Sequence, residues 1–264
     1  MSPAFMKSIE SLEARRLLSA TLRGHTLRVA GDADTDNTII VSPSDAGDQV
    51  QVNLDLEAAQ FFTLADVRRI IVSGRNGDDT LTIDESRGGF GKILVYLDGG
   101  EGKDIINAGL ERNFISGGRG DDQITDAGGN NWVDGGDGID NIVTGDGNDW
   151  ISGGRGNDFL DAFSGRNVIW GGLGDDWLGS GSGNDFLDGG RGNDKLISNG
   201  GNDRLWGGAG NDTLEAGDGN DRLRAGRGDD QLFGGEGDDT LTGSAAADLI
   251  DGGNGDNTIR DTDR

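Results

Sequence analysis

The chain has 264 residues, 51 glycines, no cysteine and a net charge of −25. Without cysteine there is no disulfide framework and no thiolate metal site, and the acidity argues against nucleic acid as a partner, because such proteins need a basic face. No stretch approaches the roughly 18 apolar residues of a membrane span, so the composition favours a protein without a membrane span that collects cations.

Residues 1–24 are the first predicted region. They lack the apolar run of a standard secretory signal. Part of the region resembles a short motif at the start of many planctomycete surface and extracellular proteins, and the matching residues are Leu12, Glu13, Arg15, Leu17, Leu18, Ser19 and Ala20. The resemblance implies an extracellular or cell-surface location, and the alternative is an amphipathic N-terminal helix.

Residues 25–98 are predicted to form an irregular N-terminal β cap. Apolar and polar residues alternate there with a period of two, which is the pattern of half-buried strands, in the segments 26–30, 37–41, 49–54 and 67–72. A degenerate copy of the downstream repeat, GRNGDDTLT at 74–82, indicates that the cap also coils.

Residues 99–264 are predicted to form a repeat array, because residues 1–98 hold eight of the 51 glycines. Each ninth residue is aliphatic, without an insertion or deletion: Leu97, Ile106, Ile115, Ile124, Val133, Ile142, Ile151, Leu160, Ile169, Leu178, Leu187, Leu196, Leu205, Leu214, Leu223, Leu232, Leu241, Ile250 and Ile259. One aliphatic residue in nine cannot make an amphipathic helix. It can make a short strand with one inward side chain, followed by a six-residue turn.

Double glycines open alternate units, at positions 18 residues apart from 99 to 207. Two nonapeptides therefore make one coil, and alternate strands lie in opposite sheets. The predicted fold class is all-β, a parallel β-roll (a β-solenoid) with two nonapeptides in each 18-residue coil. Glycine supplies the positive φ angles and the close approaches that such turns need.

An Asp or Asn precedes each inward residue by two positions, from position 104 to 257. On one edge of the predicted stack every such residue is Asp: Asp104, Asp122, Asp140, Asp158, Asp176, Asp194, Asp212, Asp230 and Asp248. Like charges about 5 Å apart repel, and a divalent cation between turns would remove the repulsion. Oxygen ligands in irregular geometry suit Ca²⁺ better than Mg²⁺, so multiple calcium ions are predicted. The alternative is a purely structural set of Asx turns.

The other predicted edge is mixed. It starts with Asn113, Asn131, Asp149 and Asn167, and its late acidic residues are Asp185, Asp203, Asp221 and Asp239. Asn brings no charge, so calcium sites on this edge are predicted to be weak or empty before about residue 180. On the first edge, the turn GSAAAD at 243–248 has alanines in place of glycine, which argues against an ion beside Asp248.

Several units, among them GGRGDDQIT at 117–125, GGRGNDFLD at 153–161 and GGAGNDTLE at 207–215, resemble the RTX, or haemolysin-type, calcium-binding repeat. The resemblance covers residues 99–260. It implies that the first six residues of each unit form a calcium-binding turn and the last three a strand of a parallel β-roll.

One outward face of the predicted roll carries a row of aromatic residues: Tyr96, Phe114, Trp132, Trp150, Trp170 and Phe186. Such a row is either a surface for a partner or a cross-strand ladder that stabilises the sheet. A partner would be a carbohydrate, a protein or a second copy of the chain.

Three functions remain open. The first is a secreted or cell-surface structural or adhesive module that folds with calcium. The second is a ligand-binding surface formed by the aromatic row. The third is the non-catalytic part of a secreted enzyme. The chain itself is predicted not to be an enzyme, because it has a single histidine, His25, no cysteine and no zinc motif.

Overall fold

The structure is a computed structural model that describes residues 18–55, 57–244 and 247–261. These residues form two sheets of 13 strands each, with one apolar core cluster between them. Within these ranges the chain has one short 3₁₀ helix, Leu64–Asp66, and no helix with the length and apolarity needed to cross a bilayer.

The strands are numbered in chain order. The first sheet contains, in spatial order, β1 (Ser19–Arg23), β2 (Thr26–Ala30), β6 (Arg69–Asn76), β8 (Leu94–Glu101), β10 (Asn113–Arg119), β12 (Trp132–Asp137), β14 (Trp150–Arg155), β16 (Val168–Leu173), β18 (Phe186–Arg191), β20 (Arg204–Ala209), β22 (Arg222–Arg227), β24 (Thr240–Gly243) and β26 (Thr258–Asp261). The second sheet contains β5 (Gln60–Thr63), β4 (Gln49–Leu54), β3 (Thr38–Pro43), β7 (Thr80–Ile83), β9 (Ile105–Asn107), β11 (Gln123–Thr125), β13 (Asn141–Thr144), β15 (Phe159–Ala162), β17 (Trp177–Gly179), β19 (Lys195–Ile197), β21 (Thr213–Asp218), β23 (Gln231–Glu236) and β25 (Leu249–Asp251).

The register of the strands confirms the 18-residue coil. In the first sheet β10 and β12 run parallel with Ile115 opposite Val133, and in the second sheet β11 and β13 run parallel with Ile124 opposite Ile142. Each coil therefore places one strand in each sheet, and the next coil stacks on it one repeat pair later. The predicted parallel β-roll is the observed fold.

The periodic aliphatic residues form the core of the array. Every one of them from Leu97 to Leu241 is buried, because it is the inward side chain of its strand. Ile259, in the last described coil, is 51% exposed because no described coil packs over it. The core is thin, and each coil depends on its two neighbours for burial.

The cap continues the same two sheets. The four segments predicted as strands are strands: β2, β3, β4 and β6 cover most of each of them. β2 and β6 pair in parallel, as do β3 and β7, so the degenerate copy at 74–82 is a coil of the stack. At the end of the stack, β1 is antiparallel to β2 and β4 is antiparallel to both β3 and β5.

The predicted division between cap and array at position 98 lies inside one strand, since β8 spans it. Neither sheet is interrupted there, and the division remains a prediction about sequence character. The N-terminal motif lies mostly in residues 1–17, outside the described residues. The end of the segment 1–24 is not helical, because Ser19–Arg23 is the strand β1.

Candidate metal centre

Carboxylates line the first edge of the stack, where turns lead from the first sheet to the second. The backbone N–H of Asp104 donates to Oδ1 of Asp122 at 2.8 Å, and the N–H of Asp122 donates to Oδ1 of Asp140 at 2.9 Å. The same contact then repeats coil by coil through Asp158, Asp176, Asp194, Asp212, Asp230 and Asp248. One oxygen of each carboxylate is thus used to join consecutive turns.

The second edge has the same ladder with a mixed composition. The N–H of Asp185 donates to Oδ1 of Asp203 at 2.8 Å. The accepting residues along this edge are Asn131, Asp149, Asn167, Asp185, Asp203, Asp221, Asp239 and Asn257. Asn and Asp are interchangeable for this contact, because both side chains offer an oxygen acceptor.

The other carboxylate oxygen is where Asp and Asn differ. In the described part of the chain, Oδ2 is buried and has no hydrogen-bond partner in Asp79, Asp104, Asp122, Asp140, Asp149, Asp158, Asp176, Asp185, Asp194, Asp203, Asp212, Asp221, Asp230 and Asp239. A buried, unpaired carboxylate oxygen is costly. In two rows of such oxygens the buried negative charge must be compensated, either by a bound cation or by protonation of the carboxylates.

The pKa values of the first-edge carboxylates also indicate that their charge is uncompensated. Burial, reinforced by the neighbouring ladder carboxylates, raises the pKa of Asp104, Asp140 and Asp176 to about 7. Burial likewise raises the pKa of Asp122 and Asp158 to about 6. Hydrogen bonds from backbone N–H groups oppose these shifts in every case. The charged form of the row is therefore unfavourable unless a cation offsets it.

The first glycine of each turn leaves room for that cation. A Cβ added to Gly117 would lie 2.6 Å from the carbonyl oxygen of Gly135, on the next turn, and closer still to Oδ2 of Asp122. The same two oxygens converge at Gly74, Gly99, Gly135, Gly153, Gly171, Gly189 and Gly234, and at Gly207 with Ala225 as the carbonyl donor. Each such position joins a carboxylate oxygen of one turn to a carbonyl oxygen of the following turn.

This donor set fits calcium. No group of three or more Asp, Glu, His or Cys side chains converges among the residues that the structure describes. A cation between turns would therefore take its remaining ligands from backbone carbonyls. Calcium accepts six to eight oxygen ligands in flexible geometry, whereas magnesium requires a near-ideal octahedron.

On the second edge, hydroxyls replace several of these glycines. Burial raises the pKa of Asp149, Asp185 and Asp203. The neighbouring hydroxyls at the start of the same turns, those of Thr144, Ser180 and Ser198 respectively, oppose this rise. A hydroxyl there stabilises the carboxylate but also occupies the space that glycine leaves open, so these turns are less suited to an ion than those of the first edge.

In the turns that carry Asn113 and Asn131, the buried polar groups are satisfied by hydrogen bonds within the protein. Asp126 is 3% exposed and occupies the position where other units start with glycine. Its carboxylate accepts the amide Nδ2 of Asn113 at 2.7 Å, the amide Nδ2 of Asn131 at 2.7 Å and the N–H of Gly128 at 2.9 Å. Amide donors here take the place that a cation would have. Asp126 was not among the predicted site residues, although an acid at a position where other units have glycine was a visible signal.

The turn of Asp248 departs from the rest of its row. Its Oδ2 accepts the N–H of Ser244 at 2.8 Å, and its Oδ1 accepts the N–H of Asp230 at 3.0 Å. Both oxygens thus have backbone donors. The expectation that this alanine-bearing turn is a poor ion site stays a prediction.

The structure also adds Asp79 to the first-edge row. Its N–H donates to Oδ1 of Asp104 at 2.8 Å, it is 1% exposed, and burial raises its pKa. Asp79 was not among the predicted ligands, and it lies 25 residues before Asp104 rather than 18.

A second, outer ladder was also missed. The residue before each inner Asp or Asn is often Asp or Asn, and its Oδ1 accepts the N–H of the residue 18 positions later. Examples are Asn157 with Asp175 at 2.9 Å and Asn184 with Asn202 at 2.9 Å. The inner ladder accepts from the preceding turn and the outer ladder from the following turn, so each turn is held from both sides.

The six predicted aromatic residues all lie on the first sheet. Tyr96 stacks on Phe114 with ring centroids 4.7 Å apart, Trp132 contacts Trp150 at 5.2 Å, and Trp150 contacts Trp170 at 5.1 Å. The row continues through Phe186 to Trp206. The cross-strand ladder is thus present, and the role of the row in binding a partner stays a prediction.

A family model for the RTX calcium-binding nonapeptide repeat matches the chain in overlapping segments from residue 96 to residue 259. A search of curated proteins found no match. The matched segments cover the coils that carry the two ladders from Asp104 onward, and they exceed half of the chain. The chain belongs to the family of proteins with RTX calcium-binding nonapeptide repeats.

Proposed function

We propose that the protein is a secreted or cell-surface structural or adhesive module whose coils are stabilised by calcium ions bound between stacked turns. The observation that carries the proposal is the row of buried Oδ2 atoms without donors, which in the turns that begin with glycine lie beside a carbonyl oxygen of the next turn. Calcium bound there would supply the positive charge that these carboxylates need.

The proposed ligands are the acidic residues of the two inner ladders. The first-edge turns from Asp79 to Asp212 are the strongest candidates, because each begins with glycine. On the second edge, Asp239 is the best candidate for the same reason, since its turn begins with Gly234. The turns of Asp230 and Asp221 begin with alanine, and the turns of Asp185 and Asp203 begin with serine. Weaker calcium binding is therefore proposed at these four turns.

The extracellular location rests on the same chemistry. Extracellular calcium modules commonly bind at about 10⁻⁴–10⁻³ M. A chain of charge −25 with its acids in rows would be loosened by repulsion at low calcium and would coil when exported into calcium. In this proposal residues 1–24 serve targeting, 25–98 close the stack, and 99–264 are the calcium-dependent roll.

A non-catalytic role is part of the proposal. The RTX β-roll is a structural type of repeat domain, and the acids of this chain are used in turns. His25 is exposed, and its Nδ1 lies 2.8 Å from the carbonyl oxygen of Asp66, a contact within the cap. The alternative role, as the non-catalytic part of a secreted enzyme, uses the same calcium chemistry.

The test is a calcium titration of the full chain after exhaustive chelation. Far-ultraviolet circular dichroism monitors the titration, and magnesium is the control. We expect a cooperative gain of β signal with calcium and none with magnesium at equal concentration. Isothermal titration calorimetry of the same samples would count the ions. A chain that folds fully in chelator and binds no calcium would overturn the proposal.

A further inference from the structure

A strip without exposed carboxylates runs along the border between the second edge and the first sheet. The outer positions of six successive turns there are Asn130, Asn148, Arg166, Asn184, Asn202 and Asn220. The neighbouring outward positions of the first sheet are Trp132, Trp150, Val168, Phe186, Arg204 and Arg222. In a chain of net charge −25, this strip is a local exception that carries three arginines and no acid.

The middle of the strip is a groove of about 620 Å³. Val168 lies in its lining, on the strand between those of Trp150 and Phe186, and the ring of Trp170 contacts both of these rings, with centroids 5.1 Å and 6.4 Å away. Trp150 remains 46% exposed despite its contact with Trp170. The single acid in the lining, Asp185, is buried.

The arginines of the strip lie outside the ion pairs of the described residues, since none of those pairs involves Arg166, Arg204 or Arg222. Arg166 is nevertheless close enough to the buried Asp185 to oppose the rise that burial causes in the pKa of that carboxyl. Arg204 and Arg222 stand opposite each other on β20 and β22, and like charges in that position destabilise a sheet. Anionic groups from outside the chain would remove this repulsion.

The Asn side chains of the groove present donors. Oδ1 of Asn184 accepts the N–H of Asn202, and Oδ1 of Asn202 accepts the N–H of Asn220. For the Nδ2 groups of these two exposed residues, no acceptor is found within the described ranges. At Asn184 and Asn202 the outer ladder therefore uses the amide oxygens and leaves the amide N–H groups free for a ligand, whereas Asn148 donates its amide to Oδ1 of Asn130 at 3.3 Å.

We propose that this groove binds an acidic polysaccharide, with a pyranose ring packed on the exposed part of Trp150 beside Val168. Carboxylate or sulfate groups of the sugar chain would pair with Arg166 and Arg204, which suit such groups because guanidinium binds them in a bidentate manner. Sugar hydroxyls would accept from the Asn amides. The aromatic rings supply flat apolar faces with little loss of side-chain entropy.

The chemistry of the strip favours this ligand over other polyanions. A nucleic acid is held chiefly by many Lys and Arg contacts to phosphate, and the groove has two arginines in a strongly negative molecule. An acidic peptide would use the arginines but would bring no sugar ring to pack on the exposed part of Trp150. A sugar acid uses the rings, the amides and the guanidinium groups together.

The test is calorimetric binding of hyaluronan and chondroitin sulfate oligosaccharides to the full chain at saturating calcium. The comparison ligands are a neutral chitin oligosaccharide, polyglutamate and oligo-dT of equal charge. We expect binding of an acidic sugar and about tenfold weaker binding of the comparison ligands. R166Q/R204Q and W150A should each weaken sugar binding about tenfold.

The matched control is R119Q/R155Q. These arginines lie on the other border of the same sheet, where both approach Asp137, and the double substitution removes the same charge. We expect it to leave sugar binding unchanged. Circular dichroism of each variant in calcium separates lost binding from lost fold. Equal or stronger binding of polyglutamate or oligo-dT, an unchanged affinity of R166Q/R204Q, or no binding of either acidic sugar would overturn the inference.

Discussion

At the scale of the residue, each ladder Asp performs two separate tasks with its two oxygens. Oδ1 accepts a backbone N–H from the neighbouring turn, which Asn does equally well, as Asn131 and Asn167 demonstrate. Oδ2 is the part that an amide cannot replace, because only a carboxylate oxygen offers charge to a cation. The choice between Asp and Asn therefore tells which turns are suited to an ion.

The first glycine of a turn is predicted to control ion binding at that turn. Gly171 has no positive φ, but a Cβ there would meet Oδ2 of Asp176 and the carbonyl of Gly189. G171A should reduce the number of bound calcium ions by one in calorimetry. Ala225 occupies the same position before Asp230, so A225G should strengthen binding. Equal calcium binding by both variants and the native protein would contradict this role of glycine.

Asp126 is predicted to be essential for the stability of the Asn-bearing turns. D126N would bring an amide N–H₂ against the amides of Asn113 and Asn131 and should lower the free energy of unfolding by about 1–3 kcal/mol. Urea denaturation in calcium measures the change. The control is D121N on the exposed outer row, where Oδ1 accepts the N–H of Ile139 and an amide oxygen serves equally. A matching loss in both variants would refute a special role for Asp126.

At the scale of the element, a strand of the array is short and contributes one inward side chain. β19 has three residues, and only Leu196 is fully buried. Its stability comes from parallel pairing with β17 and β21 and from the turns that flank it. A strand of this length has no independent stability, so the turn ladders and the thin core must act together.

L196A is therefore predicted to lower the free energy of unfolding by about 2–5 kcal/mol, the usual cost of a buried Leu to Ala change. The neighbouring I197A, at a half-buried outward position, should cost less. Chemical denaturation of both variants in calcium gives the comparison. A similar cost at both positions would mean that the core does not determine the stability of the coil.

At the scale of the whole molecule, the charge of −25 makes the stability of the folded chain depend on pH when calcium is removed. Burial raises the folded-state pKa of Asp104, Asp140 and Asp176 to about 7, above the unfolded value of about 3.9. Between these values the folded chain holds more protons than the unfolded chain, so stability falls as pH rises.

In chelator the thermal midpoint is thus expected to fall from pH 5 to pH 7.5, and in saturating calcium this fall should largely disappear, because the ion replaces the protons. Differential scanning calorimetry over this pH range measures both series. A midpoint in chelator that rises toward pH 7.5 would show that the ladder carboxylates are stable in their charged form without an ion.

Much of the fold was determined by the sequence alone. The nine-residue spacing of Leu, Ile and Val predicts one short strand and one turn in each unit, and the 18-residue glycine pattern predicts two strands per coil. The predicted strand length of three residues is found in the second sheet, as in β11 and β19. It is wrong for strands of the first sheet such as β12, which continues through the glycine pair to six residues. The two spacings are local rules that every unit repeats, so the register of Ile115 with Val133 follows from them. The inner Asp rows follow in turn, because parallel stacking places equivalent positions side by side.

What only the tertiary structure decided lies where the repetition is broken or where two turns must be compared. The insertion after residue 83 conceals Asp79 from a count by 18, yet β7 and β9 still pair and bring it under Asp104. The role of Asp126 depends on two amide donors, those of Asn113, 13 residues before it, and Asn131, five residues after it. The donor of each hydrogen bond, and the oxygen left without one, depend on which turn lies above and which below, and that is a property of the stack rather than of the unit.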